Sequence, residues 1–146
     1  MHLLIPITRI YLTITNSLMR YGMPLMALLF RLWIARIFLY SGLTKLSSWE
    51  ATAFLFEFEY NIPQPFVEIA AISSTFIELV CPILLILGLA TRFAAIPLLI
   101  MTAFIQFTYF DLVEHYYWAM LLGTLLCYGA GPISADYFIK TYFSKK

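Results

Sequence analysis

The chain has 146 residues, of which 62% are hydrophobic, 18% are aromatic and only 12% are charged. Because soluble proteins carry about 25% charged residues, this composition excludes an ordinary soluble domain. The formal net charge is +1 and no run of like charges occurs, so nothing indicates nucleic-acid binding. The apolar runs are long and lack two-residue alternation, which favours membrane-spanning helices over a β-barrel. We therefore expect an all-α integral membrane protein in one bundle.

Residues 1–22 predict an amphipathic helix at the membrane surface. One side of a helical wheel is apolar, and the other side collects Arg9, Thr13, Asn16 and Arg20. Such a helix lies in the interfacial region with its arginines toward lipid headgroups. A simple linker is the alternative interpretation of this segment.

Four apolar runs predict a transmembrane four-helix bundle over residues 23–135. The predicted spans are approximately residues 23–46, 66–89, 93–110 and 116–131. At about 1.5 Å per residue, the first two are long enough to cross the hydrocarbon core with some tilt. An aromatic loop joins them, a tight turn at Ala90–Arg92 follows the second, and residues 136–146 form a tail.

The basic residues predict the orientation. With an even number of spans both termini lie on one side, which collects Arg9, Arg20, Arg31, Arg92, Lys140, Lys145 and Lys146. The opposite side carries Lys45 and most of the acidic residues. The positive-inside rule therefore places both termini in the cytoplasm.

Two charged residues lie near the middle of the apolar spans, Arg36 in the first and Glu78 in the second. The two spans run in opposite directions, so similar depths are expected. An unpaired arginine near the bilayer centre costs at least about 2.5–3.5 kcal/mol on insertion scales. We therefore predict an intramembrane ion pair between Arg36 and Glu78. A working site and a purely structural bridge are both compatible with such a pair.

Further polar residues form a candidate pocket that opens outward. Ser74 and Thr75 share a helix face with Glu78, since residues three and four apart are neighbours on a helix. The outer halves of the other spans contribute Tyr40, Lys45, Gln106, Tyr109 and His115. Each has a simpler interpretation, such as a lysine that snorkels to the interface or a glutamine that joins helices.

The residue pattern predicts no metal and no haem. Cys81 and Cys127 stand alone in apolar runs, without a CxxC motif or a Cys/His cluster, and both are interpreted as small buried residues. The chain has two histidines, and one of them lies in the N-terminal arm. A haem with two histidine ligands inside one bundle is therefore not expected.

Three stretches resemble the DoxX family of small four-helix bacterial inner-membrane proteins. They are ARIFLYSGLTKL, ELVCPILLILGLATRFAAIPL and YGAGPISAD, and the correspondence covers approximately residues 31–136. The family-typical residues are Arg36, Ser41, Gly42, Lys45, Glu78, Pro82, Gly88, Arg92, Gly129, Gly131, Ser134 and Asp136. The segment SSWEATAFLFEFEYNIPQP resembles the subgroup encoded beside gene clusters for copper-responsive modified peptides.

This resemblance implies a redox role in the bacterial inner (plasma) membrane. Family members are described as subunits of quinone-linked oxidoreductases or as partners in membrane complexes against thiol stress. Quinone is accordingly the expected cofactor, with Arg36, Tyr40, Lys45, Gln106 and His115 as candidate hydrogen-bond donors.

The chain has no catalytic motif of its own, so we expect a protein partner or a second copy, besides membrane lipid. Two alternatives remain open. One is a non-enzymatic membrane anchor or assembly partner for another enzyme. The other is an oligomeric transporter of a small molecule or peptide.

Overall fold

The computed structural model describes residues 4–109 and 111–144, and every regular element in these two ranges is helical. The α-helices are α1 (Leu4–Ser17), α2 (Met23–Ser47), α3 (Trp49–Phe54), α4 (Gln64–Leu87), α5 (Thr91–Thr108), α6 (Val113–Tyr128) and α7 (Ala135–Phe143). The all-α prediction is confirmed. Residues 1–3, 110, 145 and 146, which belong to the predicted N-terminal helix, third span and tail, lie outside the described residues.

Four of the helices pack in a ring, in the order α2, α4, α5, α6 and back to α2. The centre of the ring is filled by fully buried aliphatic side chains: Ile34, Leu85, Leu98, Leu122 and Leu125. The outward sides of the same helices expose large apolar residues such as Trp33, Phe76 and Phe107. Helices that are apolar on all sides are typical of a membrane environment.

Three stretches are long and apolar enough to cross a membrane, namely Thr8–Ser47, α4 and α5. The helix α6 has 16 residues, and at about 1.5 Å per residue it is ~24 Å long, shorter than a hydrocarbon core of about 30 Å. The predicted fourth span therefore corresponds to a shorter helix that closes the ring between α5 and α2.

The N-terminal helix runs directly into the first span. A π-helical segment, Leu18–Gly22, joins α1 to α2 without a loop. At the predicted boundary after residue 22 the chain thus changes from π-helix to α-helix and does not leave the helical conformation. The main contacts of α1 are with this adjoining segment, while α2 carries the contacts to the bundle. Its position at the membrane surface stays a prediction.

Two segments predicted as a loop and as a tail contain helices. The predicted aromatic loop folds as α3 and a second π-helical segment, Leu55–Glu59; we call residues 48–62 the cap. Phe56 of the cap is buried against Val67 and Ala71 of α4. The predicted tail contains α7. A helix of six to nine residues has too few turns for its periodicity to be recognised in the sequence.

One of the two cysteine predictions is wrong. Cys81 is buried as expected, but Cys127 is exposed. Near the end of α6 the inward position belongs to Leu125, which is fully buried. Two residues further along, a side chain points about 200° away around the helix axis. Cys127 therefore faces out of the bundle.

Candidate functional site

A buried ion pair joins Lys45 of α2 to Glu78 of α4. Lys45 Nζ lies 2.7 Å from Glu78 Oε1, and the two side chains are 10% and 2% exposed. The same ammonium lies 3.4 Å from Ser74 Oγ. The helices approach closely here because Gly42 faces α4, where an added Cβ would lie 3.1 Å from Glu78 Cβ. Two charges are tolerated at this depth because each neutralises the other.

The predicted pair between Arg36 and Glu78 is wrong. Glu78 pairs with Lys45, while Arg36 is exposed on the outer side of α2. Arg36 and Lys45 are nine residues apart, and at about 100° per residue they point to opposite sides of the helix. The prediction matched the two charges by depth in the membrane but not by their angle around the helix.

The cap covers the ion pair from the end of the bundle that we call the Lys45 end. The ring centroid of Phe56 lies 5.7 Å from Lys45 Nζ, within the range of a cation–π contact. The hydroxyl of Thr52 donates a hydrogen bond to the Lys45 carbonyl at 3.1 Å. The ammonium is thus held between a carboxylate and an aromatic ring.

Tyr60 lies at the edge of the cap and is half-buried. Burial, together with the nearby Glu78, Tyr109 and Glu59, raises the pKa of Tyr60 to about 12. The rings of Tyr60 and Tyr109 are edge-on at 5.2 Å, and the Tyr109 hydroxyl donates a hydrogen bond to Glu59. Tyr109, predicted for the polar pocket, therefore belongs to the cap contacts instead. Tyr60 keeps its proton at neutral pH.

A groove of about 710 Å³ runs between α2 and the cap and reaches Lys45. Its walls are mostly apolar, and its lining residues include Ile37, Tyr40, Ser41 and Thr44 from α2 and Ala51, Phe54, Leu55 and Glu59 from the cap. The Tyr40 side chain is 74% exposed, so its phenol is accessible. An apolar groove with a few convergent polar groups is typical of a binding site for a small apolar molecule.

Only part of the predicted pocket comes together at this groove. Tyr40 and Lys45 line it, and Ser74 contacts the Lys45 ammonium. Thr75 is buried nearby, but its hydroxyl donates to the Ala71 carbonyl of its own helix at 2.7 Å. Thr75 therefore has no hydroxyl hydrogen left for a ligand.

Gln106 and His115 form a separate cluster between α5 and α6. Gln106 Oε1 lies 2.8 Å from His115 Nδ1 and accepts a hydrogen bond from the Leu112 N–H at 3.2 Å. Gln106 Nε2 donates to Asp111. Because both ends of the amide are occupied, this cluster holds the α5–α6 turn together, as the simpler interpretation of Gln106 expected.

The fully buried arginine is Arg31, which was predicted only as one of the cations on one side of the membrane. Its guanidinium donates to the Leu85 carbonyl at 3.4 Å and to the Ile133 carbonyl at 2.5 Å. Arg31 therefore joins the end of α4 to the segment before α7. We call this opposite end of the bundle the Arg31 end.

Asp136 completes the Arg31 end. Its carboxylate accepts hydrogen bonds from the backbone N–H groups of Ala90 at 2.8 Å and Thr91 at 3.2 Å. Its own N–H donates to the Gly88 carbonyl at 3.0 Å. A carboxylate at a helix N-terminus satisfies donors that have no partner within the helix. Asp136 thus caps α5 from a distant part of the chain.

Within residues 4–109 and 111–144, no group of three or more His, Cys, Asp or Glu side chains is placed to hold a metal ion. The polar groups that line the groove are an ammonium, several hydroxyls and one carboxylate, and the rest of its wall is apolar. These groups fit an apolar ring that carries hydrogen-bond acceptors.

The DoxX family model matches residues 26–111, more than half of the chain. The matched range contains most of α2, the cap, α4 and α5, and thus the ion pair and the groove. No curated protein and no solved structure matches the chain.

Proposed function

The chain belongs to the DoxX family of membrane proteins, and on this basis we propose that it is the quinone-binding subunit of a membrane oxidoreductase. The observation that carries the proposal is the groove between α2 and the cap, which ends at the buried Lys45–Glu78 pair. The proposal includes a place in the bacterial plasma membrane with both termini in the cytoplasm, and a partner subunit that supplies the electrons.

The groove suits the headgroup of a quinone, a flat ring whose two carbonyl oxygens accept hydrogen bonds. An ammonium has three N–H donors. Glu78 and Ser74 take two of those on Lys45, which leaves a third for a carbonyl oxygen. The accessible phenol of Tyr40 offers a second donor, and Ile37 and Leu55 provide apolar contact for the ring.

When bound, a quinone supplies an acceptor for two electrons and two protons. The ammonium of Lys45 at the end of the groove would stabilise negative charge that develops on a carbonyl oxygen. Glu78 holds the ammonium in position. The cap separates this charge from water, because Phe56 covers the ammonium. A fixed charge away from water acts more strongly than one in solution.

The test measures binding of decylubiquinone to the purified full chain in detergent. We expect Tyr40→Phe to weaken binding roughly 2- to 12-fold, the loss of one hydrogen bond worth about 0.5–1.5 kcal/mol. Tyr137→Phe removes an exposed phenol outside the groove and is the matched control. A photoreactive quinone should label residues 37–45 and 51–59. Equal binding by both variants, or labelling elsewhere, would contradict the proposal.

A second function is favoured by two aromatic side chains on the cap. Phe54 and Phe58 are 57% and 59% exposed, and their rings are 4.6 Å apart. They offer a contact for another enzyme, for which the chain would be a non-enzymatic anchor. In that case Phe58→Ser detaches the enzyme from the chain. Tyr40→Phe changes neither the composition of the isolated complex nor the activity of the bound enzyme. Aliphatic side chains fill the axis of the bundle, so the transport alternative would need a path between copies of the chain.

A further inference from the structure

A cavity of about 830 Å³ lies at the Arg31 end, and we propose that it binds the phosphate group of an anionic phospholipid. The cavity is formed by the first turn of α5, residues 128–132 and α7. It lies at the opposite end of the bundle from the groove, so the inference does not depend on the proposed quinone.

Two cations line the cavity, Arg92 of α5 and Lys140 of α7, and both are exposed. Arg92 Nη2 donates to the Cys127 carbonyl at 3.1 Å, which fixes the guanidinium while leaving other N–H groups available. Among the described residues, neither cation forms an ion pair. Both charges are therefore available to a phosphate.

Two other polar groups line the cavity, the carboxylate of Asp136 and the hydroxyl of Thr91. The carboxylate of Asp136 already accepts from the N–H groups at the start of α5, so the helix end is occupied. Thr91 is fully buried and lines the cavity, and its hydroxyl has no hydrogen-bond partner among the described residues. This hydroxyl is a further donor that a phosphate oxygen would satisfy.

The surroundings favour a lipid as the source of the phosphate. Phe93 borders the cavity and is 77% exposed, and the aromatic residues Tyr128 and Tyr137 also line it. Aromatic residues of this kind gather at the membrane–water interface, and basic pockets between membrane helices bind anionic headgroups. An acyl chain would pack beside Phe93, whereas a soluble phosphate would make no use of that apolar side.

The experiment titrates the full chain in detergent with phosphatidylglycerol or phosphatidylcholine and counts bound lipid by native mass spectrometry. We expect tighter binding of phosphatidylglycerol. Arg92→Gln/Lys140→Gln should weaken it roughly 30-fold, which corresponds to about 1 kcal/mol for each cation near an anionic surface. Lys140→Gln alone, a change on an exposed helix face, should weaken it several-fold without affecting the fold.

Arg20→Gln is the matched control, since it removes an exposed cation outside the cavity and should leave binding unchanged. Equal loss in this control would show general charge attraction and overturn the proposal. Unchanged binding in the double variant would also overturn it. Displacement of the lipid by inorganic phosphate at the same concentration would assign the site to a soluble phosphate instead.

Discussion

At Gly88 the chain leaves α4 with φ at +66°, a left-handed conformation that side chains other than glycine rarely adopt. The space is also taken. An added Cβ would lie 2.6 Å from Ser134 Cβ and closer still to the Arg31 guanidinium. Because Arg31 is itself held by two carbonyl groups, it cannot move aside without losing them. Position 88 therefore has neither the backbone conformation nor the space for a side chain.

We expect Gly88→Ala to lower the free energy of unfolding by about 2–5 kcal/mol, from left-handed strain and overpacking together. Gly123→Ala is the matched control, because nothing lies within 4 Å of an added Cβ there. In a helix this control should gain up to about 1 kcal/mol. Unfolding in mixed micelles, followed by circular dichroism, measures both. Equal effects of the two substitutions would contradict this account of Gly88.

The stripe of buried residues on α2 shows what the sequence allows to be predicted at this scale. Its members are Pro24, Ala27, Arg31, Ile34, Ala35, Phe38, Gly42 and Lys45, nearly all spaced by three or four residues as on one helix face. Arg36 is three or four residues away from none of these positions. The same spacing in the sequence would have selected Lys45 as the inward cation. The partner contacts of Arg31 were not predictable, because Ile133 is distant in the chain.

Among the elements, the cap contributes a half-buried phenol whose titration reports on its packing. Tyr60 has its pKa raised to about 12, first by burial and then by Glu78, Tyr109 and Glu59. In the unfolded chain the same phenol loses its proton near pH 10. Between about pH 10 and 12 the unfolded state therefore releases the proton first, and rising pH favours unfolding. Below about pH 10 the phenol is protonated in both states, so its titration does not change the stability.

We expect the difference between wild type and Tyr60→Phe in absorbance at 295 nm to rise with a midpoint near pH 12. The other tyrosines are common to both proteins and cancel in the difference. Between about pH 10 and 12, wild type should lose more stability than Tyr60→Phe does, since the variant lacks this phenol. A midpoint near pH 10 would mean that the cap does not bury Tyr60.

The elements predicted best are the long ones. Helices α2, α4 and α5 coincide with the first three predicted spans to within a few residues, because each is a long apolar run with a clear end. The end of α4 is marked by Gly88 and the start of α4 by Pro65 near its first turn. The cap and α7 were missed because helices of six to nine residues show too few turns in the sequence, and the cap is also held by contacts with Val67 and Ala71 of α4.

On the scale of the whole molecule, a ring of four helices separates two polar ends. The Lys45 end holds an ion pair beneath the cap, and the Arg31 end holds an arginine and a capping aspartate. The sequence predicted the helical class and the family, because both follow from apolar runs and local motifs. It also placed Arg31 and Lys45 at opposite ends, but it did not predict which polar side chains meet, because depth alone does not give the direction of a side chain. The groove and the phosphate cavity lie one at each end.

The central claim, that Lys45 and Glu78 form the buried polar centre beside the groove, is tested most directly by two double-mutant cycles. Unfolding in mixed micelles would be measured for Lys45→Met, Arg36→Met and Glu78→Gln, and for each cation change combined with Glu78→Gln. Removing one partner of a buried pair costs about 3–5 kcal/mol. We expect the double variant Lys45→Met/Glu78→Gln to lose at least about 2 kcal/mol less free energy of unfolding than the sum of the two single losses. The losses from Arg36→Met and Glu78→Gln should instead add to within about 0.5 kcal/mol. Coupling of Glu78 to Arg36, with none to Lys45, would contradict the claim.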